Sequence, residues 1–468
     1  MRRLVLLAAL LAAASVTAQP DPSAPYAEAA RRITEAALAD SASYERLALL
    51  VDRFGHRLSG SDALEASIDW VLDEMRADGL ENVYGQPALV PVWVRGEEHA
   101  TLVTPTGSWP LTMLGLGGSV GTPPDGIEAE VLVVTSFDDL TAHAAEAAGR
   151  IVLFDVPFTT YGETVQYRGY GASAAAHVGA VASLVRSVGS ASLDTPHTGT
   201  MRYADDAPRI PSAALTAEGA ARLHRMQARG ETPVVRLVMG AETRPDRLSR
   251  NVIGQLVGRE RPDERVVAGG HLDSWDVGQG AVDDGGGCVV TWEAVRLLHD
   301  LGLRPRRTIE VALWTNEENG LRGAEVYRDS LGDGVSGVHL AFESDSGVYE
   351  PVGFGYSGGE GGLALLQARV DPLVAGLLGT SPLYPSGVQA GGGGADIGPM
   401  MRDGVPGMNL RTASERYFEV HHTPADTIDK LDPGHFQRAV AATAILLYVA
   451  AEMPEALPRL APGDGGEE

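Results

Sequence analysis

Lysine and cysteine are all but missing from this chain of 468 residues: Lys430 and Cys288 are the only ones of their kind. A lone cysteine excludes any disulfide within the chain and any thiolate cluster around a metal. A metal here must be held by His, Asp and Glu. With so little lysine, arginine carries the positive charge, and 37 basic residues against 62 acidic ones leave a formal net charge of −25. Such a chain is repelled by nucleic acid and by anionic membranes, so neither is expected as a partner. Long apolar runs are scarce too. Beyond the first residues, no stretch approaches the roughly 20 apolar residues that a membrane span needs.

The exception lies at the start. Arg2 and Arg3 precede an apolar run over residues 4–14, and Val16-Thr17-Ala18 is a small-residue cleavage pattern. This is the layout of a secretory leader over residues 1–18. It predicts a mature chain beginning near Gln19, secreted or periplasmic, with no membrane attachment once the leader is cut. The length suggests roughly two to three domains.

The remainder alternates. Ser61 is placed to cap a helix carrying Leu64, Ile68, Val71, Leu72 and Met75 on one face. Short β-like runs over 88–94 and 99–103 lead into a Gly/Pro-rich stretch, 115–124, which reads as a linker. Residues 121–240 read as an inserted domain with few acid–base groups. From Asn251 onward, strands such as "RVVAGG", "TIEVALW", "VHLAF" and "GMNL" alternate with helical stretches, the last over "HFQRAVAATAILLYVAAEM". That alternation predicts an α/β fold, a mixed sheet flanked by helices on both faces. The terminal "PGDGGEE" completes a tail, 458–468, that is expected to be disordered.

In sheets of this kind, sites form at the carboxyl ends of the strands. "RVVAGG" is followed by His271 and Asp273, then by Asp283 and Asp284 before a helix. "TIEVALW" is followed by Glu317 and Glu318, "VHLAF" by Asp345, and "GMNL" by a loop with His421, His422 and Asp426. Any one of these has an ordinary explanation as a surface pair, a helix cap or a solvated loop. Together they would crowd one edge with uncompensated carboxylates, and bound cations remove that difficulty. Two His and several carboxylates without Cys suit Zn²⁺ with open coordination positions, with Mn²⁺ or Co²⁺ also compatible. The donor count suits two metals sharing one bridging carboxylate.

The stretches "GGHLDSWDVGQGAVDDGGG", "LWTNEENGLRGA", "FESDSG" and "YFEVHHTPADTIDKLDP" occur in this order. They resemble the co-catalytic zinc exopeptidases related to bacterial leucyl aminopeptidases, over most of the mature chain. The resemblance implies a phosphorylase/hydrolase-like mixed sheet as the catalytic domain (19–120 and 241–457), interrupted by a β-rich insert (121–240) that resembles a protease-associated (PA) domain. It implies two Zn²⁺ per chain, with His271 and Asp345 on one, Glu318 and His422 on the other, and Asp283 as the bridge. Glu317 is implied as the general acid/base and Asp273 as the residue that orients His271. The family's ligand precedes the Asp-Thr pair by four residues, which selects His422 and leaves His421 without a role. A peptide is the implied substrate and a homodimer the implied assembly. Relatives that act as glutaminyl cyclases use one zinc, and transferrin-receptor-like scaffolds lose the ligands. The complete donor set here argues against both.

Overall fold

The computed structural model describes residues 21–461. The expected leader and the last residues of the expected tail lie outside that span. The beginning of the tail is held, contrary to expectation. Arg459 donates to Val338 O and Val335 O at 3.0 and 3.2 Å, and Leu460 N donates to Gly404 O at 3.2 Å.

Sixteen strands follow one another among the described residues: β1 (Glu81–Val94), β2 (Glu98–Thr104), β3 (Gly107–Leu111), β4 (Met113–Gly115), β5 (Ile127–Val134), β6 (Ile151–Phe154), β7 (Ala182–Arg186), β8 (Ser212–Leu215), β9 (Val234–Met239), β10 (Glu242–Leu256), β11 (Arg261–His271), β12 (Arg307–Trp314), β13 (Val338–Glu343), β14 (Pro351–Ser357), β15 (Gly387–Ala390) and β16 (Gly407–Thr412). They form two sheets. The first has the order β1-β10-β12-β11-β13-β16-β14-β15. Its centre, β12-β11-β13-β16, is parallel, and β10 and β14 join it antiparallel.

The central strands are apolar throughout because both faces are covered. Val266, Ala268, Ile309, Val311 and Phe342 pack under the helices Asp62–Ala77, Gly286–Asp300 and Pro433–Glu452. Val267, Ala312, Trp314 and Ala341 point the other way, against the helix Arg322–Leu331 and the turn carrying Ile397 and Met400. The capped helix begins as expected, with Leu64 N donating to Ser61 Oγ at 3.1 Å. Its apolar stripe, Leu64, Ile68, Val71, Leu72 and Met75, is buried.

The second sheet has the order β3-β2-β9-β5-β6-β7-β8-β4. Strands β5 to β8 are parallel, and helices link β5 to β6 and β6 to β7, among them Tyr161–His177, so the insert is mixed α/β rather than simply β-rich. It also starts earlier than the expected boundary at 121. Strand β2 pairs with β9 (Ala100 with Leu237), and β4 pairs with β8 (Leu114 with Ala214). The Gly/Pro-rich stretch is therefore internal to this unit, anchored where Leu116 N donates to Ser212 O and Thr122 N to Met239 O, both at 2.9 Å. The chain crosses between the sheets over residues 95–97 and 240–241. The crossings touch through Gly240 N and Glu97 O at 2.8 Å.

One buried cation organises the loop that leads from the first sheet to the site. Arg57 is fully buried, and its guanidinium donates to Gly55 O, Leu272 O, Gln279 O and Gly280 O at 2.7 to 2.9 Å. Four carbonyls share one planar donor set, which suits guanidinium better than ammonium. Arg57→Met keeps the bulk and strands those carbonyls without a donor. It is expected to lower stability by about 3 kcal/mol, read as a shifted urea midpoint with unchanged slope.

Candidate metal centre and active-site cleft

The four parallel strands deliver the candidate residues to one edge. His271 is the last residue of β11. Glu317 and Glu318 follow β12, Asp345 follows β13, and the loop with His421 and His422 follows β16. Asp283 and Asp284 form the turn that enters the helix Gly286–Asp300. The glycines there have a steric reason. A Cβ on Gly270 would strike the Asp284 carboxylate, and one on Gly287 would strike Ser344 O.

Asp283 lies at the centre. Its Oδ1 is 3.2 Å from His271 Nε2, and its Oδ2 is 3.2 Å from His422 Nε2. Each oxygen thus faces a different imidazole. Asp345 Oδ1 approaches His271 Nε2 at 3.8 Å, and Glu318 Oε2 approaches His422 Nε2 at 3.1 Å. His421, which had no expected role, stacks on His422 with ring centroids 3.5 Å apart and points Nε2 at Asp283 Oδ2 from 3.5 Å. Donor atoms of His271, Asp283 and Asp345 lie within 4.8 Å of one another, as do those of Asp283, His421 and His422.

Three more carboxylates hold these groups in place, each by accepting backbone N–H groups. Asp426 accepts from Ala281 N, Val282 N and Asp283 N at 2.9, 2.7 and 3.2 Å. Asp284 accepts from His271 N and Gly287 N, both at 3.2 Å. Asp273 accepts from Glu317 N at 3.1 Å, Glu318 N at 3.3 Å and Ser59 Oγ at 3.0 Å. Asp273 therefore meets His271 differently than expected. His271 Nδ1 lies 2.9 Å from the Asp273 backbone carbonyl and 4.0 Å from its carboxylate, which grips the Glu317–Glu318 turn instead. Of these three, the resemblance implies a role only for Asp273; Asp284 and Asp426 lie in the same motifs without one.

Burial and like charges set the protonation of the cluster. Withdrawal from water would raise Asp283, but the imidazoles of His271 and His422 facing its oxygens hold it well below the usual carboxylate range. Burial, then the charge of Asp283, pushes Glu318 up to about 7. Glu317 stands well above the usual range, through burial first and then, against the pull of His271, through Asp345 and Glu318. Burial would lower His422, yet Glu318 and Asp283 draw its pKa up to about 10. The cluster behaves as a site for positive charge.

The donor set tests what that charge is. His271 Nε2, Asp283 Oδ2 and Asp345 Oδ1 are buried with no hydrogen-bond partner. Imidazole nitrogens and carboxylate oxygens converging with free lone pairs fit a divalent cation of the Zn²⁺ type. Cys288 takes no part, being buried in the helix behind the turn.

A cleft of about 980 Å³ opens over the cluster, between the two sheets. Asp345, Glu317, His421 and Tyr417 line it from the first unit, and Tyr161 and Arg168 from the second. Phe418 and Tyr417, just ahead of the histidine pair, reach the cleft. Arg411 donates to Ala390 O at 3.0 Å and to Gly391 O. The loop with Asp396 does not line it. Asp396 is buried, with both carboxylate oxygens lacking a partner. Nothing in the sequence pointed to Arg168, because the insert carries no concentration of acid–base groups.

The chain belongs to peptidase family M28, a family of metallopeptidases, whose sequence profile matches residues 251–447. Within it, the chain is similar to carboxypeptidase Q of Homo sapiens, 46% identical over 421 residues, covering 90% of this chain and 88% of that one. It is also similar to the solved structure of a peptidase M28 precursor from Shewanella amazonensis SB2B, with a TM-score of 0.89 and 32% identity over 94% of this chain and 100% of that one. A zinc aminopeptidase from Bacillus subtilis shares the fold, with a TM-score of 0.65 at 22% identity, over 91% of this chain and 97% of that one.

Asp426→Ala frees three N–H groups beneath Asp283. The variant is expected to fold and to hold zinc about 10-fold more weakly or worse, as read by competition with a chromophoric chelator.

Proposed function

We propose that this chain is an exopeptidase with two Zn²⁺ at the cluster, and that Glu317 is its general base. His271 and Asp345 would hold one cation, Glu318 and His422 the other, and Asp283 would bridge them. The observation that carries this reading is the position of Asp283, one oxygen turned to each imidazole at 3.2 Å. Zinc held there supplies a Lewis acid that activates water and polarises a peptide carbonyl. Peptide hydrolysis as such accords with family M28. The relatives named carboxypeptidase Q and zinc aminopeptidase support action at a chain end or on a dipeptide.

The chain's own residues account for the proton. Glu317 and Glu318 both line the cleft, but only Glu318 is turned to His422, at 3.1 Å, and accepts from Trp275 N at 3.0 Å. Two adjacent glutamates thus serve different ends: one carboxylate would hold a cation, and the other would stay free to act on water. Glu317 takes a proton from the attacking water as its oxygen bonds to the carbonyl carbon. It then returns that proton to the amine as the C–N bond breaks. Asp273 aims both glutamates by holding their N–H groups. The second unit, read as PA-like, forms the opposite wall of the cleft through Tyr161 and Arg168. The leader over 1–18 supports export, and no helix among the described residues is long and apolar enough to cross a membrane.

Free and end-blocked dipeptides test the reading. Cleavage should stop with a chelator, return with Zn²⁺, and respond to blocking one end of the substrate. Cleavage that ignores the chelator overturns it. Glu317→Gln should keep its zinc and lose about 10²- to 10⁴-fold in kcat, whereas Asp283→Ala should lose zinc on dialysis. A fully active Glu317→Gln would remove Glu317 from the base role.

A further inference from the structure

His422 has a backbone that needs outside support. Its φ is +60°, in the left-handed region. A side chain with a Cβ is uncommon there and persists when the surroundings hold it. Part of the support is local, with Thr423 N and Thr423 Oγ1 bonding to Val420 O at 3.1 and 2.7 Å. The rest comes from the other unit. Thr198 N donates to His422 O at 3.0 Å, and Thr198 O lies 3.4 Å from His422 Nδ1. Nδ1 lies against Thr198 O and, at 3.5 Å, Arg168 Nη1; with Nε2 committed to a cation it would carry the proton and donate to the carbonyl.

Thr198 is itself rigidly fixed. It is fully buried, and its Oγ1 donates to Gly115 O at 2.8 Å and accepts from Arg95 Nη2 at 3.3 Å. Arg168 Nη1 donates to Thr198 O at 3.2 Å. The preceding residue is tied to the end of β7, where His197 N donates to Ser187 Oγ at 2.9 Å. A second bridge, Ser190 N to Phe418 O at 3.1 Å, runs alongside. These are not loose interface contacts. They connect β4 and β7 of the second sheet to one imidazole of the cluster.

We propose that Thr198 is a positioning residue for the metal centre. By gripping His422 at its carbonyl and its ring, it makes metal binding depend on the seating of the second unit. The inference rests on the cluster holding zinc, as proposed above. It extends that reading by making the insert part of the centre as well as a wall of the cleft.

Hydrogen exchange on the wild-type chain, zinc-loaded and chelator-treated, tests it without any substitution. Removing zinc should speed exchange at residues 196–200 of the second unit together with 420–424, while β6 in the same unit keeps its protection. Thr198→Val, which loses the Oγ1 anchor, should release zinc at about 10-fold lower chelator concentration. Thr198→Ser, which keeps the anchor, should hold zinc like the wild type. Exchange at 196–200 that ignores zinc while 420–424 responds overturns the proposal. So does a folded Thr198→Val that holds zinc at full strength. If Thr198→Val does not fold, the wild-type exchange decides. A chain that binds no zinc at all would overturn the reading of the centre and the proposal with it. Zinc bound normally with 196–200 unresponsive would overturn the proposal alone.

Discussion

A carboxylate buried between two imidazoles governs the rest of this molecule. Asp283 could not keep its charge there alone, since burial penalises an isolated anion by several kcal/mol. It is tolerated because His271 and His422 face its two oxygens and because the N–H groups of its own turn are already committed to Asp426. The surrounding architecture supplies those partners. Parallel strands bring His271 and the β16 loop to the same edge, and Arg57 holds the loop between His271 and Asp283 by its carbonyls.

The site divides its acids into two kinds. Asp283, Glu318 and Asp345 face imidazole nitrogens, whereas Asp273, Asp284 and Asp426 face backbone N–H groups. The second kind converts side-chain charge into backbone rigidity. It fixes the turns from which the first kind projects. This explains why glycines crowd around Asp284: the carboxylate can reach His271 N and Gly287 N only where the facing backbone carries no Cβ.

The catalytic half was readable because its order is local. Strand, acid and helix follow one another within a few residues, so "RVVAGGHLD" or "ALWTNEE" carries its own context. Strand β14 was missed because Gly353 and Gly355 break the apolar pattern. Those glycines exist because β15 and the loop after it press close, an arrangement written elsewhere in the chain. The start of the second unit was misplaced for a similar reason. A Gly/Pro-rich stretch looks like a boundary, and only pairing with β8 and β9 shows that it is internal. Arg168 and Thr198 could not be found at all. Their meaning lies in contact with His422, and nothing near them in the chain marks it.

The insertion also bears on how the chain reaches its native state. Val94 of β1 meets Glu242 of β10 with the whole second unit between them in the chain. Pairing those strands from an open coil means closing a very long loop before most of its contacts can repay the entropy. A second unit that collapses first brings its two ends together at Glu97 and Gly240 and removes most of that penalty. In that order of events the inserted unit would act as a template for the outer strands of the first sheet. The pairing of β1 with β10 would then depend on the folding of a domain to which neither belongs.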